Sequence, residues 1–340
     1  MNESKLFRRH FLLGSQGVFL AANSDTCAAW LRSQLNSSRN DLRGEIESAY
    51  LHSSIFFSTK IMELIAADEL TSSQLAGLFS QAYSDYVLGR VKLGPESFSA
   101  WCRNNLVSLT RSIIALDPEP VGFIMMSCRD DRPIETHVAA MGVVPRFRRR
   151  SYALQMLTVL AKNERAHGVQ TIDPDTFDNN VAAFEVFRKA GFLVIHDLPG
   201  WERATPEANE FGVDGSLIEC PMAQVNTLVR RFAEDNLPWQ THEFILLPQA
   251  ENAFKLGHAY CVVSDPYSSR DNIKLQCLFV EPEWRRRGEV TKLVKAMMAR
   301  FPGKKWGANP IFPGEYARGI AGRLGFQLSA MSQKQMQLKL

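Results

Sequence analysis

The sequence predicts an α/β protein with two similar mixed-sheet domains in tandem, and three observations support this prediction. Its 340 residues are typical of two or three domains. From about residue 60 onward, strand-like and helix-like segments alternate. A strand, an arginine-rich loop and a helix occur twice, as GVVPRFRRRSYALQML at 142–157 and FVEPEWRRRGEVTKLV at 279–294. We therefore predict an N-terminal extension at 1–57, a first domain at 58–200 and a second at 201–340.

The first domain is predicted in the order strand, two helices, three strands, helix, strand, helix, strand. Thr71 or Ser72 is a typical cap for the first helix, and Pro95 suits the start of the second. Gly168 is a typical stop for the helix after the first arginine loop. The predicted segments are 60–67, 71–87, 95–106, 109–117, 120–130, 136–144, 152–168, 169–177, 180–191 and 192–198.

The second domain repeats this order less completely, after a polar, glycine-bearing boundary near residues 200–215. Helices are predicted at 221–235, 290–301 and 314–326, and strands at 253–265 and 273–282. Aligning the loops pairs Val143 with Val280, Pro145 with Pro282 and Ser151 with Gly288. The spacing indicates a duplicated domain.

Composition excludes several classes of protein. A formal net charge of +3 does not suit a nucleic-acid coat, and no apolar run approaches the length of about 20 residues that spans a membrane. The six cysteines form no CxxC pair, which favours reduced thiols and a cytoplasmic location. The seven histidines form no metal-binding motif, so we expect no metal. Arg8 and Arg9 loosely resemble an export signal, although the polar break at 14–17 favours a folded element.

The arginine loops have the chemistry of an anion site. Where a strand leads through a tight loop into a helix, the free amides of the first helical turn and the helix dipole favour negative charge. Arg148-x-x-Ser151-x-Ala153 and Arg285-x-x-Gly288-x-Val290 both fit a diphosphate. A solvated charge run is the alternative. The loop is neither a P-loop nor a dinucleotide fingerprint, since GK[ST] and GxGxxG are missing.

These motifs resemble the GNAT N-acetyltransferase superfamily, whose loop reads [Q/R]-x-x-G-x-[G/A] after a strand ending in V-x-P. A second family pattern, N-x-x-A-x-x-x-Y-x-x-x-G-F, is similar to 180–192 with phenylalanine at Phe187. The resemblance covers about 58–198, and more weakly 207–340. It implies direct transfer of an acetyl group from acetyl-CoA to an amine of a small molecule or peptide. Neither a nucleic acid nor a membrane is an implied partner, and the oligomeric state stays open.

The resemblance also implies the ligands of acetyl-CoA. The loop would hold the diphosphate, the strand end would pair with the pantetheine arm, and the second pattern would line the thioester end. The implied cofactor-binding residues are Met141, Gly142, Val143, Arg148, Arg149, Arg150, Ser151, Tyr152, Ala153, Asn180, Ala183 and Phe187. Because this copy keeps the small residues and the asparagine, we favour it as the acetyl-CoA site. The second copy is then a degenerate partner that completes the acceptor pocket.

Departures from the family pattern support an alternative function. Phe187 and Ala321 stand where a tyrosine commonly protonates the leaving thiolate, and Ser151 replaces a glycine. The alternative is a catalytically weak or inactive CoA-binding sensor, and a further one is an interaction protein that uses 1–57. For an active enzyme, Glu135 and His137 are the candidate bases on the strand before the loop. Asp175 is a candidate for orienting an ammonium substrate.

Overall fold

The computed structural model describes residues 62–207, 212, 216–232, 237–241 and 252–340. The expectations for 1–57, namely the extension, the export signal and a partner-binding segment, lie outside the described residues. Within the described parts, the predicted mixed α/β architecture is confirmed. One large mixed sheet carries helices on its faces, and none of these helices is long and apolar enough to cross a membrane.

The first half of the fold comprises β1 to β6 and α1 to α4, and the second half comprises β7 to β12 and α5 to α7. The elements are β1 Glu63–Ala66, α1 Ser72–Ala82, α2 Pro95–Asn104, β2 Val107–Leu116, β3 Pro120–Cys128, β4 Glu135–Val143, α3 Tyr152–Ala166, β5 Thr171–Phe177, α4 Val181–Lys189, β6 Leu193–Arg203, β7 Ile218–Glu219, α5 Met222–Phe232, β8 Asn252–Leu256, β9 Ala259–Val263, β10 Asn272–Val280, α6 Glu289–Arg300, β11 Lys305–Ala308, α7 Gly314–Arg323 and β12 Gln327–Lys339. The segment predicted as one strand at 253–265 is a hairpin, because Gly257 adopts a positive φ of 57° between β8 and β9.

The two halves exchange strands at the centre of the sheet. The strand order is β1-β2-β3-β4-β5-β12-β6-β11-β10-β9-β8-β7. The last strand, β12, lies between β5 and β6 of the first half, and β6 in turn pairs with β11 of the second half. The predicted boundary at 200/201 therefore lies within β6. Each half depends on a strand from the other.

The backbones of the paired strands β6 and β12 lie very close together at Gly200. A Cβ built on Gly200 would lie 2.4 Å from Ser329 Oγ and 2.6 Å from the Met331 carbonyl oxygen. These separations are too short for a side chain, so only glycine fits there. The register of the β6–β12 pair also shifts between Leu328 and Ser332.

Two of the core clusters belong to the first half and lie on opposite faces of its sheet. One joins β2 to β5 with α3 and α4, and it includes Met336 from β12. The other joins β2, β3 and β4 with α1 and α2 around Phe79, Phe98 and Phe123. The C-terminal strand therefore supplies a side chain to the core of the first half.

A register shift in β4 changes which side chains share a face. Val138 pairs with Met126 and Ala140 with Met125, so Ala139 bulges from the ladder. Strict alternation would place His137 on the same face as Met141. Instead, Val138 and Met141 share the core cluster of α3, and His137 lies on the opposite face.

Candidate active site

The two arginine loops have the same backbone conformation. A 3-10 turn at Pro145–Phe147 or Pro282–Trp284 leads into two residues with left-handed backbone. Their φ angles are 67° and 62° at Arg149 and Ser151, and 64° and 81° at Arg286 and Gly288. Residue 151 or 288 then caps α3 or α6, whose first-turn amides have no acceptor within the helix. Both loops therefore form an anion cradle of the predicted type.

The left-handed caps predict opposite effects for matched glycine substitutions. Gly288→Ala should lower the free energy of unfolding by about 1 kcal/mol, because a Cβ strains this backbone although no atom lies within 4 Å of it. Gly322→Ala, inside α7 and equally open, should raise it by about 0.5–1 kcal/mol. Urea unfolding measures both. The same sign for both variants would contradict the strain argument.

In the first half, the loop arginines contact the protein itself. Arg148 donates from Nε to the Val143 carbonyl at 3.0 Å and from Nη2 to the Ala82 carbonyl at 2.9 Å. Its Nη2 and Nη1 also donate to the two carboxylate oxygens of Asp85, at 2.7 and 2.8 Å. These hydrogen bonds lower the pKa of Asp85. Arg150 lies 3.6 Å from Asp117. Acidic partners thus offset much of the positive charge of this loop.

Bulky side chains occupy the space behind the first loop. Phe187 and Tyr152 are 3% and 8% exposed, and both lie in the core cluster of α3 and α4. Tyr83 donates from its hydroxyl to the Met141 carbonyl at 3.1 Å, on the strand end predicted to meet pantetheine. Asn180 caps α4 by accepting from the Ala183 amide at 3.3 Å. The assignment of the residues in this half to acetyl-CoA stays a prediction.

The predicted bases Glu135 and His137 lie beneath a segment of the second half. The His137 ring stacks on Trp239 with centroids 5.3 Å apart and planes 4° from parallel. Glu135 pairs with Arg132 at 3.4 Å. Nearby, Asp175 accepts from Gln240 Nε2 at 2.5 Å. These groups hold the 3-10 turn Trp239–Thr241 against the first-half sheet.

A cavity of about 660 Å³ lies in the second half, where β10 and β11 separate. The two strands pair in parallel only from Asn272–Lys305 to Leu275–Ala308. Beyond that point the gap between them opens into the cavity, which the second arginine loop borders through Arg285, Arg286 and Gly288. Among the described residues, Arg286 forms no ion pair, as is also true of its counterpart Arg149, so Arg286 adds positive charge beside the cavity.

The sequence reasoning missed three residues of this cleft. Trp201 lines the cavity, and its buried indole N–H has no acceptor among the described residues. Glu315 lines the cavity as well, with its Oε1 2.5 Å from Nδ1 of His196. Trp201 and His196 come from β6 and Glu315 from α7. No local motif links them, because only the strand exchange brings β6 into the second half.

Comparison with known proteins identifies the fold. Residues 77–192 match the family model described as the acetyltransferase (GNAT) family. This segment of the chain is similar to the GNAT acetyltransferase domain. The matched GNAT segment lies in the first half and contains the first arginine loop. A search of curated proteins found no match to this chain.

Solved structures extend the GNAT likeness to both halves. A GCN5-related N-acetyltransferase from Anabaena variabilis aligns with a TM-score of 0.59 and 11% identity, covering 81% of this chain and 72% of that one. One from Sphaerobacter thermophilus gives 0.54 and 13%, covering 82% and 95%. A tandem GNAT protein from the clavulanic acid biosynthesis pathway gives 0.53 and 14%, covering 82% and 98%. At these identities the likeness concerns the fold, and it agrees with the predicted tandem GNAT arrangement.

In the described residues, no group of three or more histidine, cysteine or acidic side chains could hold a metal ion.

Proposed function

We propose that this protein transfers an acyl group from an acyl-CoA to the amine of a small molecule or peptide, with the acyl-CoA in the second-half cleft. The observation that carries the proposal is the cavity of about 660 Å³ between β10 and β11, bordered by the loop of Arg285 to Gly288. The family match supports acyl transfer in general, and the cavity favours the second copy over the first as the donor site.

The residues of the cleft fit the parts of an acyl-CoA. The first-turn amides of α6 and the charge of Arg286 suit a diphosphate, and no atom fills the space over Gly288. The indole N–H of Trp201 is a buried donor suited to a carbonyl of the bound molecule. The family resemblance supplies the donor chemistry, a thioester that an amine attacks directly.

The chain must also move protons. As the amine nitrogen bonds to the acyl carbon, the carbon–sulfur bond breaks, the amine loses a proton and the thiolate gains one. We assign the acceptance of the amine proton to Glu315, which lies on the cavity wall with its Oε1 2.5 Å from His196 Nδ1. Tyr316, the next residue along α7, also lines the cavity, and its side chain carries a hydroxyl group.

Calorimetric titration of CoA and acetyl-CoA tests the proposal. Gly288→Trp should abolish binding because the indole fills the space over the second loop, whereas Ser151→Trp, at the matching position, should leave it intact. Loss in Ser151→Trp alone would place the donor in the first half. Failure of the wild type to bind CoA would overturn the proposal.

A non-catalytic CoA-binding protein is the second candidate. It is favoured by Phe187 and Ala321, neither of which can donate a proton at the position of the family tyrosine. Release of free CoA thiol across a panel of amines separates the two functions. Binding without release by any amine would favour the sensor.

Five free cysteines among the described residues favour a reducing, cytoplasmic setting.

A further inference from the structure

The lining of the second-half cleft is mostly apolar away from the arginine loop, with Glu315 and Arg323 as its other charged residues. Arg285, Arg286 and Glu289 lie at the loop, whereas the wall on the α5 side of the gap between the strands includes Val229, Phe232 and Phe279. The charged end suits the diphosphate of an acyl-CoA. The thioester end would then face the apolar side, where burial of hydrocarbon is favourable.

A comparison of matched positions explains why this space exists. Leu278, Val280, Ala317 and Ala321 line the cavity, and their counterparts in the first half are Met141, Val143, Ala183 and Phe187. Both sets of residues belong to core clusters, but only the first-half cluster has rings at two of the matched positions, Tyr152 and Phe187. The second half has Glu289 and Ala321 at these two positions. Two rings are therefore missing from the second cleft.

The cavity also extends to both faces of the sheet. Leu278 and Val280 belong to the side covered by α6 and α7, whereas Cys277 and Phe279 belong to the side covered by α5. All four line the same cavity. A chain that enters beside α6 can therefore pass between β10 and β11 toward Val229 and Phe232 on α5.

We propose that the acyl group carried in this cleft is an apolar chain longer than acetyl, seated in the space that Ala321 leaves open. This inference rests on the proposed function, since it assigns the class of acyl donor at the same site. Ala321 is then the residue that sets the permitted chain length, because it stands where Phe187 fills the first half.

Calorimetry with CoA, acetyl-, butyryl-, hexanoyl- and octanoyl-CoA tests this inference on the wild type. Each buried methylene should strengthen binding about fourfold, at least through hexanoyl. In Ala321→Phe the ring should fill the space, so affinity should no longer rise beyond acetyl. Ala321→Val should shorten the preferred chain without the risk of overpacking the helix.

Gly322→Phe is the matched control, because it adds the same ring to the open face of α7. It should keep the full dependence on chain length. Equal affinities for all acyl chains, alongside clear binding of CoA, would overturn this inference and leave the proposed function standing. Failure of CoA itself to bind would overturn the proposed function instead.

Discussion

Met336→Ala is expected to lower the free energy of unfolding by about 2–5 kcal/mol. Met336 is 1% exposed and, although it belongs to the last strand, it packs in the core of the first half with Leu157 and Phe192. Removing its side chain leaves a cavity between β12 and α3 or α4, which the neighbours refill only in part. Urea unfolding followed by circular dichroism measures the loss.

Met331→Ala is the matched control on the same strand. Met331 is 40% exposed, so its truncation should change stability by no more than about 0.5 kcal/mol. Equal losses in the two variants would mean that the burial of Met336 contributes no more to stability than an exposed side chain of the same strand. A negligible loss in Met336→Ala would contradict the exchange of β12 into the first-half core.

Local patterns predicted the parts of the fold that depend on neighbouring residues. The capping chemistry at Thr71 is present, with its Oγ1 accepting from the Gln74 amide at 3.3 Å. Both arginine loops are followed by the helices that their apolar spacing indicates. These features depend on backbone geometry over a few residues, and the sequence encodes that geometry directly.

The strand exchange could not be predicted in the same way. The β12 sequence QLSAMSQKQMQLK contains only a few apolar residues and was not predicted as a strand. One face of β12 carries Met336 and Leu338, which pack in the core of the first half. The other face carries the buried glutamines Gln335 and Gln337. Its pairing with β5 joins residues more than 150 positions apart, for which no local pattern exists.

The cavity on which the proposed donor site rests could not be predicted from motifs. Motif matching favoured the first copy because Ala153 and Asn180 fit the family pattern. A cavity depends instead on missing volume, here at Ala321 and Glu289, and on the separation of β10 from β11. Ala321 is both a departure from the family pattern in the second copy and one of the two positions at which its cleft lacks a ring.

Asp175→Asn is expected to stabilise the protein at pH 8, on the order of 2 kcal/mol, and much less near pH 4. Burial raises the pKa of Asp175 from its ordinary value of 3.8 to about 7. Its Oδ1 is buried without a hydrogen-bond partner among the described residues, and only Oδ2 is bonded, to Gln240. Ionisation of this carboxyl group in the folded protein is therefore costly.

The direction of this pH dependence follows from the difference in proton binding by Asp175 between the folded and the unfolded states. Between pH 3.8 and about 7, the folded state holds the Asp175 proton more tightly than the unfolded state, so wild-type stability falls as the pH rises through this window. Asparagine keeps the shape and can still accept from Gln240, but it carries no charge. Thermal unfolding at pH 4, 6 and 8 should show the gain growing with pH. Asp130→Asn, at an exposed position, is the control for replacing a surface carboxylate, and it should change stability by no more than about 0.5 kcal/mol. An Asp175→Asn variant less stable than wild type at pH 8 would mean that the carboxylate is favourable beside Gln240.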